Sequence, residues 1–159
     1  MYDFRITASD KATLYRDLAQ ALEALVAGEP DPVANMANAA ALIFESLPDL
    51  NWAGFYRNLG GELVLGPFQG RPACIRIRFG EGVCGVAAET RAVQRVDDVH
   101  AFPGHIACDS ASNSEIVLPI LRDGELVAVL DLDSPKPARF TEEDEAGLEK
   151  VAEILARAI

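Results

Sequence analysis

Apolar residues recur at helical spacing over the first third of the chain and then switch to the shorter alternation of strands. Leu14, Leu18, Leu22 and Leu25 share one helical face up to Gly28, which predicts a first helix with a capping-box start at Thr7 to Asp10. A second helix is predicted after Asp31, an N-cap followed by Pro32 at the first helical position. Val33, Met36, Ala37, Ala40, Ile43, Phe44 and Leu47 line one of its faces, and Pro48 stops it. From residue 50 the period falls to two. LNWAGFYRN, the turn at Gly60 and Gly61, and ELVLG read as a β-hairpin rich in aromatic and branched residues. Strand-like runs follow at 74–78, 92–96, 115–121 and 125–133, the last two joined by a turn over Arg122, Asp123 and Gly124.

Between the third and fourth strands, GEGVCG at 80–85 opens a short Val/Ala-rich helix. Thr141 and Asp144 cap a final one with Leu148, Val151, Ile154, Leu155 and Ala158 facing inward. The order α-α-β-β-β-α-β-β-β-α predicts an α+β fold: a six-stranded, mainly antiparallel sheet flanked by helices, with a loop-covered pocket. Residues 97–114 are polar, lack a period and carry His100, His105 and Cys108; a loop this long in a small domain is expected to be either a functional lid or disordered. Without repeats or linker-like tracts, 1–159 reads as one domain, with N-terminal helices in 1–48 and the sheet, active-site loops and C-terminal helix in 49–159.

Composition narrows the function. The 159 residues are 50% hydrophobic and 25% charged, enough for one core and unlike a disordered chain. Fourteen basic against 25 acidic side chains give a formal net charge of −11, and a field of that sign repels nucleic acid and anionic lipid. The first residues lack the basic start and apolar run of a signal peptide, and the longest apolar stretch, Ala39 to Phe44, falls far short of the ~20 residues of a membrane span. A cytoplasmic location is therefore expected. Three cysteines do not make a structural disulfide framework, so their chemistry has to be considered directly.

Cys74 falls on a predicted strand, Cys84 at a glycine-rich helix start, and Cys108 in the long loop three residues after His105. Helix N-termini and nearby positive charge stabilise thiolates, which favours Cys84 by its position and Cys108 through His105; the plainer alternative is three small buried hydrophobes. Zinc ligand types are present in Cys74, Cys84, His100, His105 and Cys108. The short Cys-x-x-Cys spacing of zinc knuckles is missing, so no metal site is expected. A second constellation is acidic. Alternation puts Asp131 and Asp133 on one face of the last strand, with Glu115 at the start of the strand paired to it. Carboxylates brought together repel, so such a cluster supplies a protonated acid near neutral pH or binds a cation or ammonium group; acids solvated at a strand end are the alternative. Trp52, the one tryptophan, is either core or a face for a sulfur-bound methyl group.

The motifs NWAGFY, LGPFQG-x-x-AC, GVCG, QRVDDVH-x-F-x-GHIACDSASNSEIVLPI and VLDLDS-x-x-x-x-RFTEEDE resemble those of the free methionine-(R)-sulfoxide reductases, single-domain enzymes of the GAF fold. The resemblance runs from about Asp49 to the final helix and includes all three cysteines. It implies thiol-dependent reduction of the free amino acid sulfoxide, with Cys108 attacking sulfur, Cys74 as the principal residue resolving the sulfenic acid as a disulfide, and Cys84 an auxiliary or alternative one. Glu115, Asp131 and Asp133 would surround the sulfoxide oxygen, and Trp52 would hold the methyl group. It further implies no bound cofactor, thioredoxin or an equivalent dithiol as reductant, and an assembly that extends to a homodimer. Two positions depart from the pattern: Glu81 where a basic residue is usual, and Ala128 where glycine is. The rival readings are a GAF-type sensor of a cyclic nucleotide or other small ligand, and a purely structural dimerising domain.

Overall fold

A computed structural model describes residues 6–106 and 108–159. Helices α1 (Lys11–Val26) and α2 (Pro32–Ser46) precede strands β1 (Trp52–Leu59), β2 (Glu62–Gly70) and β3 (Arg76–Arg78). Helix α3 (Gly82–Thr90), β4 (Gln94–Val96), a 3-10 turn (Val99–Ala101), β5 (Ser114–Arg122), β6 (Glu125–Ser134) and α4 (Glu142–Ala156) complete the order. The sheet runs β3-β2-β1-β6-β5-β4, and every pairing is antiparallel. Tight turns make the hairpins β1–β2 and β5–β6, and docking β1 on β6 joins them into one sheet.

Alternation assigns the two faces. In register, Ala53, Leu132 and Ile116 form one cross-strand row, and Phe55, Leu130 and Leu118 the next. All six are buried against α1, α2 and α4 in the larger core, where each fully buried aliphatic side chain contributes roughly 1.5–3 kcal/mol. Ala128, where the family usually has glycine, belongs to this face, fully buried opposite Arg57 and Ile120. The other face carries Trp52, Tyr56, Val117 and Val129 and packs on α3 with Val83, Cys84, Ala87 and Ala88. Helices thus seal one side of the sheet, and α3 and the loops leave a pocket on the other.

The predicted elements recur, with β2 running on to Gly70 past the predicted 62–66 and three further shifts. Helix α1 starts one turn later than the capping box at Thr7 suggests, because Asp10 takes the cap role, accepting from the Thr13 N–H at 2.9 Å. That start brings Lys11 to 2.7 Å from Asp144. Asp144 is the capping partner of Thr141 and accepts from Tyr15 Oη at 2.8 Å; Arg139 also lies 3.3 Å away. Burial opposes its ionisation, yet these partners together hold its carboxyl down to about 2. The second shift concerns Cys74. The pattern predicts it on a strand over 74–78, whereas β3 keeps only residues 76–78 and Cys74 lies in the irregular segment 71–75. Pro72 in that segment has no N–H for a ladder. Lastly, β4 is trimmed to Gln94–Val96.

Candidate active site

Three side-chain rows on the open face of the sheet build the site. Trp52, Asp133 and Glu115 stand side by side on β1, β6 and β5; Gly54, Asp131 and Val117 form the row beneath; Tyr56 and Val129 begin the third. Gly54 is required by close approach, since a Cβ there would lie 2.3 Å from Phe68 Cβ and 2.8 Å from the Trp52 ring. The indole stacks on Phe68 at 5.2 Å and on Tyr56 at 6.0 Å. The three acids therefore share a wall with an immobilised aromatic face, as alternation predicts.

Their environment changes their protonation. Glu115 and Asp131 are only 6% and 5% exposed. Burial, reinforced by the charges of Asp131 and Asp133, drives the Glu115 carboxyl well above the usual range. Asp133 moves the same way through burial, with Asp131 and Asp109 adding to it. Asp131 rises through burial to about 6, while hydrogen bonding with Glu115 and Cys84 limits the rise. Its Oδ1 is buried with no hydrogen-bond partner among the described residues. Burial thus favours the protonated forms of Glu115 and Asp133, beside the Asp131 Oδ1 acceptor that no described residue satisfies.

The sulfur atoms divide into two kinds. Cys74 and Cys108 form a disulfide, with Cα atoms 5.9 Å apart, that ties the 71–75 segment to the long loop. Cys84 is a free, buried thiol on α3, with Sγ 3.9 Å from Glu115 Oε1. Its helix start does not make it a thiolate as its position suggests: burial, then the charges of Asp131 and Glu115, push the thiol well up. His105 supplies no positive charge to Cys108 either, since burial and His100 lower its pKa; it sits 3.8 Å from Glu115 instead. Cys84, Glu115 and Asp131 bring three donor atoms within 4.8 Å of one another, a grouping hidden in the sequence because α3 and the β5–β6 hairpin meet only in the fold.

The long loop is fastened over this wall. Asn51, just before β1, donates to Asp109 at 3.1 Å and to Ser112 at 3.0 Å. Ile106 packs on Gly82, whose φ of 63° and missing side chain leave room for it: a Cβ would come within 3.2 Å of Ile106. Between sheet, α3 and loop lies a partly open recess of about 50 Å³ lined by Trp52, Cys84, Cys108, Glu115, Asp131 and Asp133. A larger groove of about 560 Å³ between α1 and α4 is lined by Arg16, Glu23, Lys150 and Arg157 but holds no sulfur. All seven residues singled out in the sequence thus converge, with Cys74 joined to the cavity through its bond to Cys108.

A GAF domain profile matches residues 4–159. Protein YtsP of Bacillus subtilis is 55% identical over 161 aligned positions, covering 100% of this chain and 99% of that protein. The free methionine-R-sulfoxide reductase of Escherichia coli is 51% identical, covering 94% of this chain and 91% of its own length. The chain belongs to the free methionine-R-sulfoxide reductase family. The X-ray structure of the Neisseria meningitidis reductase in complex with its substrate superimposes with a TM-score of 0.95 at 48% identity, covering 99% of this chain and 95% of that one. As in the GAF fold, this reductase-family chain sets one antiparallel sheet between helices on one face and a small recess on the other.

Reading the sequence missed four members of this reductase-type site. Asn51 and Ser112 hold the loop, Asp109 joins them and lies 4.0 Å from Arg71, and Tyr56 reaches the segment carrying Cys74. Tyr56 had a local signal, since it lies four positions after Trp52 and so shares its face of β1. The others pair residues far apart in sequence, and no local pattern marks them.

Proposed function

We propose that this protein reduces free methionine (R)-sulfoxide to methionine through its own cysteines. The observation that carries the reading is the Cys74–Cys108 bond, a disulfide with one partner in the wall of a buried acid cluster. In the proposed reaction the Cys108 thiol attacks the sulfoxide sulfur and the S–O bond breaks. The oxygen ends as Cys108 sulfenic acid, the sulfoxide is reduced to the thioether, and the thiol's proton balances the step. Glu115, Asp131 and Asp133 surround the sulfoxide oxygen, Asp133 acting as an acid, and Trp52 holds the methyl group. Cys74 then condenses with the sulfenic acid, releasing water and forming the disulfide. Cys84, with its raised pKa, is auxiliary.

In the disulfide form the recess is small, about 50 Å³. Substrate enters the reduced form, in which the loop is no longer bonded to the 71–75 segment. Two electrons from a dithiol protein of the thioredoxin class complete the cycle. Such a reductant fits a cytoplasmic setting, and among the described residues no helix is long and apolar enough to cross a membrane. Assembly as a homodimer, with GAF-like domain 1–159 as the single unit of each copy, is part of the same proposal and is read by sedimentation.

The test is NADPH consumption with thioredoxin, thioredoxin reductase and free methionine (R)-sulfoxide. Turnover of this epimer, with the S epimer and a peptide-bound sulfoxide consumed far more slowly, is the expected result. Tight cyclic-nucleotide binding without turnover would instead establish the sensor reading.

A further inference from the structure

Two aromatic side chains of the pocket wall end on the backbone of the segment that carries Cys74. Trp52 Nε1 donates to the Arg71 carbonyl at 3.1 Å, and Tyr56 Oη donates to the carbonyl of Cys74 itself at 3.0 Å. Both donors project from one face of β1, whose opposite face is locked into the helix-covered core through Ala53 and Phe55. The far end of the segment is fixed differently, by the Leu65 N–H donating to the Ile75 carbonyl at 2.9 Å. Segment 71–75 has no ladder of its own; these three hydrogen bonds hold its backbone, beside the Cys74–Cys108 bond and the packing of Ala73 and Cys74 on the smaller core. Tyr56 is 2% exposed, and burial, with Asp131 and Cys84 adding to it, keeps its phenol protonated and able to donate.

We propose that Tyr56 is a positioning residue for the resolving cysteine: its hydroxyl holds the Cys74 backbone within reach of the Cys108 sulfenic acid. The inference rests on the assignment of Cys108 and Cys74 made above. The step it governs is Cys74–SH + Cys108–SOH giving the disulfide and water; an S–S bond forms, the S–O bond breaks, and the thiol proton leaves with the hydroxyl. Cys74 must meet a sulfur on a separate, long loop, and small misplacements of reacting groups are costly in rate. The hydroxyl donates to the Cys74 carbonyl, so its loss should act on closure more than on oxygen transfer. Trp52 contributes the neighbouring tether while also facing the ligand, and its two roles are not separable by substitution.

The decisive variant is Tyr56→Phe, which keeps the ring and its stacking on Trp52 but removes the donor. Reduced enzyme is mixed with a slight excess of sulfoxide without reductant; methionine release, dimedone-trapped sulfenic acid and disulfide are followed together. The expected result is closure slowed on the order of ten- to a hundredfold, with sulfenic acid accumulating, and methionine release slowed at least tenfold less than closure. Closure at the wild-type rate, or equal slowing of both steps, would overturn the proposal. The same substitution in a Cys74→Ser background should leave the sulfenic acid lifetime unchanged. A shortened lifetime there would mean that loss of the hydroxyl opens the site to solvent, which also overturns it. If Cys74→Ser alone still forms a disulfide and cycles with thioredoxin, the cysteine assignment fails, an outcome distinct from failure of the tether.

Discussion

Glu115 stands directly opposite Asp133 in the antiparallel register of β5 and β6, with Trp52 on the other side of Asp133. Like charges facing each other across a ladder are destabilising. Burial shifts both carboxyls toward the protonated form, which relieves that repulsion, and a protonated acid suits oxygen transfer from a sulfoxide.

Asp133→Asn should therefore lose roughly 10²–10⁴ in kcat while KM changes little, because an amide can still hydrogen-bond but cannot deliver the proton. Steady-state kinetics on free sulfoxide would show it. A chelator should leave the wild-type rate unaltered; activity restored by a divalent metal after chelation would overturn the acid role.

Asp131→Asn should move the alkaline limb of the kcat/KM profile to lower pH. The Asp131 charge raises the carboxyls of Glu115 and Asp133 beyond what burial alone does. Removing it lowers both, so the remaining acid loses its proton at a lower pH. A limb displaced to higher pH would contradict the coupling seen across the β5–β6 hairpin.

The cysteines should fail in different ways. Without reductant, Cys108→Ser should release no methionine, whereas Cys74→Ser should release about one per subunit and stall. Cys84→Ser should keep cycling with thioredoxin. Rapid quench and mass mapping read all three, and a full turnover by Cys108→Ser would move the attack to another sulfur.

Gly54→Ala tests the aromatic wall. The added methyl would meet Phe68 Cβ at 2.3 Å, and Phe68 Cα and the Trp52 ring at 2.8 Å, so the β2 backbone at Phe68 and the Trp52 ring must both shift. Overpacking of this kind costs about 1–3 kcal/mol, measurable as a lowered urea midpoint, and KM should rise as the Trp52 face tilts. A variant as stable as the parent would show that the stack is loose.

Much of this architecture was legible in one dimension. Leu14 to Leu25 announced α1, Asp31 with Pro32 announced α2, and the alternation through 125–133 put Asp131 and Asp133 on one side of a strand before any partner was known. Periodicity is a local property of the backbone, which is why it could be read residue by residue. The family resemblance added the roles proposed for Cys108, Cys74 and Trp52, which neither spacing nor composition supplied.

What the sequence by itself determined, then, was the elements, the sheet face each strand residue occupies and the residue types available for chemistry. Only the tertiary structure decided that Cys74 bonds Cys108 across 34 positions, that Cys84 is sealed against Glu115, and that Tyr56 reaches the carbonyl of Cys74. The reason is physical. Side-chain alternation follows from the geometry of one strand, whereas the meeting of α3, the 71–75 segment and the long loop follows from joint burial of surfaces distant in the chain. The same burial removes water from Cys84 and the acids and so sets their protonation, which no local pattern encodes.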